Sequence, residues 1–120
     1  MARQRLWKFG PRREPKAGEI HAMSIEDMAV EDDAAIYLRH VGKELAGRPH
    51  KLVPESPDDP DGIAGNLFRA CGVEVREKMS FDQRKLFGMI VNARFGRMVD
   101  GRVDIVDFEP WKEVSHESDA

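Results

Sequence analysis

Residues 85–98 read KLFGMIVNARFGRM, and apolar side chains dominate the stretch. At 100° per residue, Leu86, Phe87, Met89, Ile90, Val91, Ala93, Phe95 and Met98 surround almost the whole circumference, and only the sector near Lys85 and Asn92 stays polar. A helix apolar on all sides needs cover on all sides. Ser80 with Gln83 three residues later forms a capping-box pattern that would start it, and Gly96 would stop it. The spacing therefore predicts a central helix. In a chain of 120 residues, its apolar skin outruns the cover the neighbours can supply.

Upstream, SIEDMAVEDDAAIYLRHVGKELAG carries Val30, Ala34, Tyr37, Leu38, Val41 and Leu45 at the spacing of one helical stripe. Ser24 is placed as the N-cap, Gly47 supplies the left-handed stop, and Pro49 prevents continuation. A third, short helix is expected after Asp61, with Ile63, Leu67 and Ala70 on one side and Gly72 at its end. Between these two helices, prolines at 54, 57 and 60 make 48–61 an extended loop. Val73 and Val75 alternate with Glu74 and Arg76, a weak strand signal. Asp100-Gly101 between apolar and β-branched residues is the signature of a tight hairpin. The expected fold is α+β and mainly helical, with about three helices, a short C-terminal hairpin and extended charged ends. Its parts are a basic arm over 1–22, one globular domain over 23–108 and an acidic tail over 109–120.

Charge is distributed in blocks. Residues 1–16 hold six Lys/Arg against one Glu, 17–62 four against eleven acids, 63–102 eight against four, and 103–120 one against six; together they give the net charge of −3. A domain devoted to nucleic acid is normally basic overall. Hydrophobic residues at 41% and charged residues at 34% suit a globular domain and exclude a membrane span, because no apolar run approaches the roughly 20 residues required. The lone Cys71 forms no internal disulfide and points to a cytoplasmic setting.

Signatures of chemistry are few in the chain. His40, Glu44 and His50 do not make a zinc set, which needs three or four converging ligands. The Asp-rich DDPDG puts Pro57 and Phe68 where a calcium loop requires carboxylates. There is no nucleophile elbow and no P-loop. The expectation is a non-enzymatic protein with no cofactor, no metal and no small-molecule substrate.

Two kinds of contact remain. In the first, an adaptor or accessory protein, as a homo-oligomer or as a component of a larger assembly, buries Phe87, Val91, Phe95 and Met98 against a protein partner. The aromatic ends at Trp7 and Phe9 and at Phe108 and Trp111 serve as clamps of opposite charge. In the second, nucleic acid is bound by Arg3, Arg5, Lys8, Arg12 and Arg13 of the arm together with Arg84, Lys85, Arg94 and Arg97, cations meeting phosphates and aromatics meeting bases. Residues 73–87, VEVREKMSFDQRKLF, resemble the strand-then-helix stretch of the NinB family of phage recombination accessory proteins, in which S-x-D-Q-N opens a Trp-bearing helix. Ser80, Asp82 and Gln83 match that pattern, whereas Arg84 stands at the Asn position and Phe87 at the Trp position. The resemblance implies single-stranded DNA binding.

Overall fold

The computed structural model describes residues 13–29, 34–42 and 45–111. Five antiparallel strands dominate it: β1 (Ile20–Ala29), β2 (Ala35–His40), β3 (Pro49–Leu52), β4 (Ile90–Arg97) and β5 (Val103–Pro110). One α-helix, α1 (Ile63–Ala70), and a 3-10 turn at Gln83–Leu86 fall between β3 and β4. The mainly helical expectation is therefore wrong: of three expected helices only α1 forms.

The stretch 85–98 is a turn followed by a strand. Gly88, at φ 87°, reverses the chain after the 3-10 turn, and from Ile90 the side chains alternate. Val91, Ala93 and Phe95 point inward and are buried, while Ile90, Asn92 and Arg94 face outward. Apolar residues on every side of a helical wheel are also what a strand produces when its outer face is half covered, and period 2 accounts for 90–97 better than period 3.6. The same confusion befell 24–46. Ser24, expected as an N-cap, lies inside β1, opposite Arg39 on one side and Ile90 on the other. Met23, Ile25 and Met28 of β1 and Ile36, Leu38 and His40 of β2 fill the interior. Tyr37, placed on the helical stripe by its spacing, faces out; Val30 lies outside the described residues. Pairing of β1 with β4, close to seventy positions on, overrides the local helical signal, because strand preference depends on which neighbours arrive.

Strand order β3-β2-β1-β4-β5 contains the 4-1-2-3 arrangement of a Greek key, extended by the β4–β5 hairpin. That hairpin turns at Asp100-Gly101, where Met98 N–H donates to Arg102 O at 2.7 Å and Gly101 takes φ 88°. Pro49 opens an end strand, where its missing N–H is harmless. The β1–β2 and β4–β5 pairings each have a bulge, at Glu26 in β1 and at Val106 in β5. Bulges sharpen twist and bend, and the sheet curls until its two end strands face one another. His50 of β3 and Asp104 of β5 join across that seam at 2.9 Å.

Helix α1 plugs the curled sheet. Leu67 is fully buried among the strands, and Asn66 Nδ2 donates to Asp107 Oδ1 at 3.1 Å beside the β5 bulge. At Gly65 the helix lies so close to the strap preceding it that an added Cβ would stand 2.0 Å from Pro60 O. Residues 73–76 form no strand.

Candidate nucleic-acid interface

The fold sorts the expected contact residues in ways their spacing did not suggest. Val91, Phe95 and Phe108 are 0%, 2% and 5% exposed and belong to the core. Phe87 is partly buried and packs against that core. Met98 sits half-buried at the hairpin, and Trp111, immediately after β5, is 44% exposed. Trp7, Phe9, Arg3, Arg5, Lys8 and Arg12 lie outside the described residues.

Among the described residues, most of the expected phosphate-binding cations are engaged. Arg13 pairs with Glu19. Glu19 is held down to about 2, first by the Lys16 N–H it accepts and then by His21 and Arg13. Arg84 forms two bonds with Asp82, at 2.9 and 3.0 Å, and the carboxylate holds the guanidinium's pKa above its ordinary value. Asp82 also caps the 3-10 turn by accepting Arg84 N–H at 3.1 Å, the role expected of Ser80. Arg94 pairs with Glu109 across β4–β5. Lys85 lies over the Phe81 ring at 6.0 Å. Arg97 donates to the Gly101 carbonyl at 3.0 Å and, among the described residues, meets no carboxylate. They stand on separate elements: Arg13 before β1, Arg84 and Lys85 in the 3-10 turn, Arg94 and Arg97 on β4.

A more coherent surface lies on the outward face of β2 and β3. Inward Ile36, Leu38 and His40 leave Tyr37 and Arg39 on the opposite face of β2, and Lys51 stands directly across from Tyr37 on β3. Lys51 Nζ lies 5.9 Å from the centre of the Tyr37 ring, a cation–π distance. Arg39 extends between Glu26 Oε1 at 3.0 Å and Gly47 O at 2.7 Å. Past Lys51 the surface drops into the seam, a groove of about 570 Å³ whose walls include Lys51, Val53, Met98, Arg102 and Val106. Arg102 bonds Asp100 and Asp104, at 3.2 and 3.3 Å. Glu55 and Asp59 line the strap side of the same groove and would repel phosphate there.

Tyr37, Arg39, Lys51 and Arg102 were not among the contact residues expected from the sequence. The signal for the first three was the alternation in AIYLRH and HKL, visible once period 2 is tried. Among the described residues no group of three or more His, Cys, Asp or Glu is placed to hold a metal ion. Burial pushes the Cys71 thiol up, away from the thiolate a nucleophile needs. No helix among the described residues is long and apolar enough to cross a membrane. No family model matches the chain, and no curated protein matches it. The resemblance over 73–87 thus gains no support, and its expected strand is missing.

Proposed function

We propose that this protein is a non-enzymatic accessory protein that binds single-stranded nucleic acid on the β2–β3 face. The observation that carries the reading is Tyr37, 38% exposed, flanked by Lys51 and Arg39 on the outside of a curled Greek-key sheet. An aromatic ring between cations suits a base stacked on the ring with its phosphates beside the charges. Small, partly open five-stranded Greek-key barrels recur as oligonucleotide and oligosaccharide binders, using the face of strands 2 and 3 and the adjacent hairpin loops. That support is an analogy of architecture. The β4–β5 hairpin adds Arg102 at the seam, and the basic arm is a second source of cations. A cytoplasmic location fits this role.

The protein-adaptor reading drew its force from a helix with surplus apolar skin, and that helix is absent. With a net charge of −3, affinity must come from stacking and a few local phosphate contacts, so binding is expected to be modest and salt-sensitive.

Fluorescence anisotropy with a labelled oligonucleotide across salt concentrations tests the proposal. Tyr37→Ala is expected to weaken binding by about 1–3 kcal/mol, the value of one stacked base. Lys51→Ala should lower the salt slope by about 0.7, one phosphate contact on a single strand. Absence of binding at low salt, or variants that bind like the parent protein, would reject the assignment. Nuclease-insensitive capture of another protein chain would favour the adaptor reading instead.

A further inference from the structure

Three imidazoles from three strands converge on one phenyl ring. His21 of β1, His40 of β2 and His50 of β3 have ring centres 5.5, 6.0 and 5.6 Å from that of Phe95. His40 stacks on Phe95 at 18°, and the other two meet His40 edge-on at 5.5 and 6.4 Å. The outer pair have carboxylates: His21 with Glu19 at 3.1 Å, and His50 with Asp104 at 2.9 Å. His40 has none. It is 2% exposed, and its Nδ1 makes no hydrogen bond.

A cover lies over this end of the barrel. Glu14 and Pro15 line a recess of about 320 Å³ with His40, Arg48 and His50, and the Arg48 guanidinium donates to the Arg13 carbonyl and the Glu14 carboxylate. Gly18 N–H donates to Phe95 O at 2.8 Å, His40 N–H to Arg48 O at 2.8 Å, and Gly47 N–H to His40 O at 2.8 Å.

The charges facing His40 are unevenly spent. Glu19 and Asp104 are engaged by the outer histidines, Glu19 by Arg13 as well, and Glu14 by Arg48. A proton on His40 would add a positive centre between His21, His50 and Arg48, and among the described residues no carboxylate pairs with it. We propose that this barrel end is an acid-sensitive latch: charging of His40 lifts the 13–16 cover and the Arg48 turn while the rest of the barrel stays folded. This inference stands independently of the nucleic-acid reading.

Burial, reinforced by His21, His50 and Arg48, holds His40 down to about 4 against an ordinary 6.5. The sign follows from linkage: an open state that takes up the proton near 6.5 gains on a closed state that resists it until about 4. Between pH 7 and 4.5 the opening equilibrium should therefore rise roughly fiftyfold.

Amide hydrogen exchange on the full chain, corrected for intrinsic rates, reads this directly. Protection at Gly18, His40 and Gly47 should fall by about that factor, while Cys71 and Val73, bonded to carbonyls of α1, keep theirs. Histidine NMR should show one imidazole resisting protonation well below pH 6. His40→Phe keeps the stacked ring without the titration and should make protection at Gly18 and Gly47 independent of pH. The latch is overturned if barrel-end protection does not change with pH, or if it falls in step with Cys71 and Val73. It is overturned equally if His40 titrates like a free histidine. The wild-type measurements decide the matter even if the variant does not fold.

Discussion

Gly65→Ala separates local propensity from tertiary packing with opposite signs. Gly65 is the third residue of α1, and alanine in a helix is favoured over glycine by about 1 kcal/mol. Propensity alone thus expects a more stable protein. In the folded chain an alanine Cβ would stand 2.0 Å from Pro60 O, 2.8 Å from Pro60 C and 3.3 Å from Pro60 Cα. These are backbone atoms, so no side chain can rotate away, and helix and strap must separate by more than 1 Å, on the order of the shortfall from ordinary contact. Moving the helix disturbs Leu67, which is fully buried, and the Asn66–Asp107 bond. Moving the strap disturbs the turn in which Gly62 N–H donates to Asp59 O at 3.0 Å. Overpacking costs about 1–3 kcal/mol and sometimes more. With a contact this short against backbone, the upper end applies, and after the propensity gain a net loss of about 2 kcal/mol is expected. Urea unfolding followed by far-ultraviolet circular dichroism measures it. Gly42→Ala is the control, since its Cβ meets nothing within 4 Å; it should stay within about 0.5 kcal/mol of the parent. If Gly65→Ala unfolds at the same or higher urea than the parent, the close packing of α1 on the strap is wrong.

Further outcomes follow from the core and the seam. Phe95→Ala empties the centre of the histidine cluster and should cost about 3–5 kcal/mol, read by the same urea titration; a loss under 1 kcal/mol would contradict its burial. Asp104→Asn removes a carboxylate accepting from both His50 and Arg102 and should cost about 1–3 kcal/mol at neutral pH. Those bonds hold the Asp104 pKa below its ordinary 3.8 despite burial, so its stabilisation is complete above 3.8 and fades as pH falls through the lowered value. The gap between parent and variant should narrow in strong acid, and thermal melts at pH 7 and pH 3 test this. Cys71, whose thiol burial pushes up, should react with iodoacetamide more slowly in folded protein than in urea; equal rates would place it in solvent.

How much could be read before folding depends on the range of the forces involved. Helix α1 was legible because its signal is local: Ile63 and Leu67 lie one turn apart, and Gly72 at φ 87° follows its end. The Asp100-Gly101 turn was legible for the same reason, since its dihedral demand is met by the residues themselves. The strands were not. In 24–46 and 85–98 apolar residues occur densely enough to satisfy both periods, and nothing within either stretch says which partner will arrive.

Composition, charge blocks, the α1 helix and the β4–β5 turn are thus properties of the chain as written, because each rests on neighbours a few residues apart. Tertiary structure alone decided that Phe95 is core, that Tyr37 and Lys51 share an outer face, and that three histidines from distant segments surround one ring. Strand pairing joins residues many positions apart, and which side of a strand meets water is settled only when the partner strand is in register.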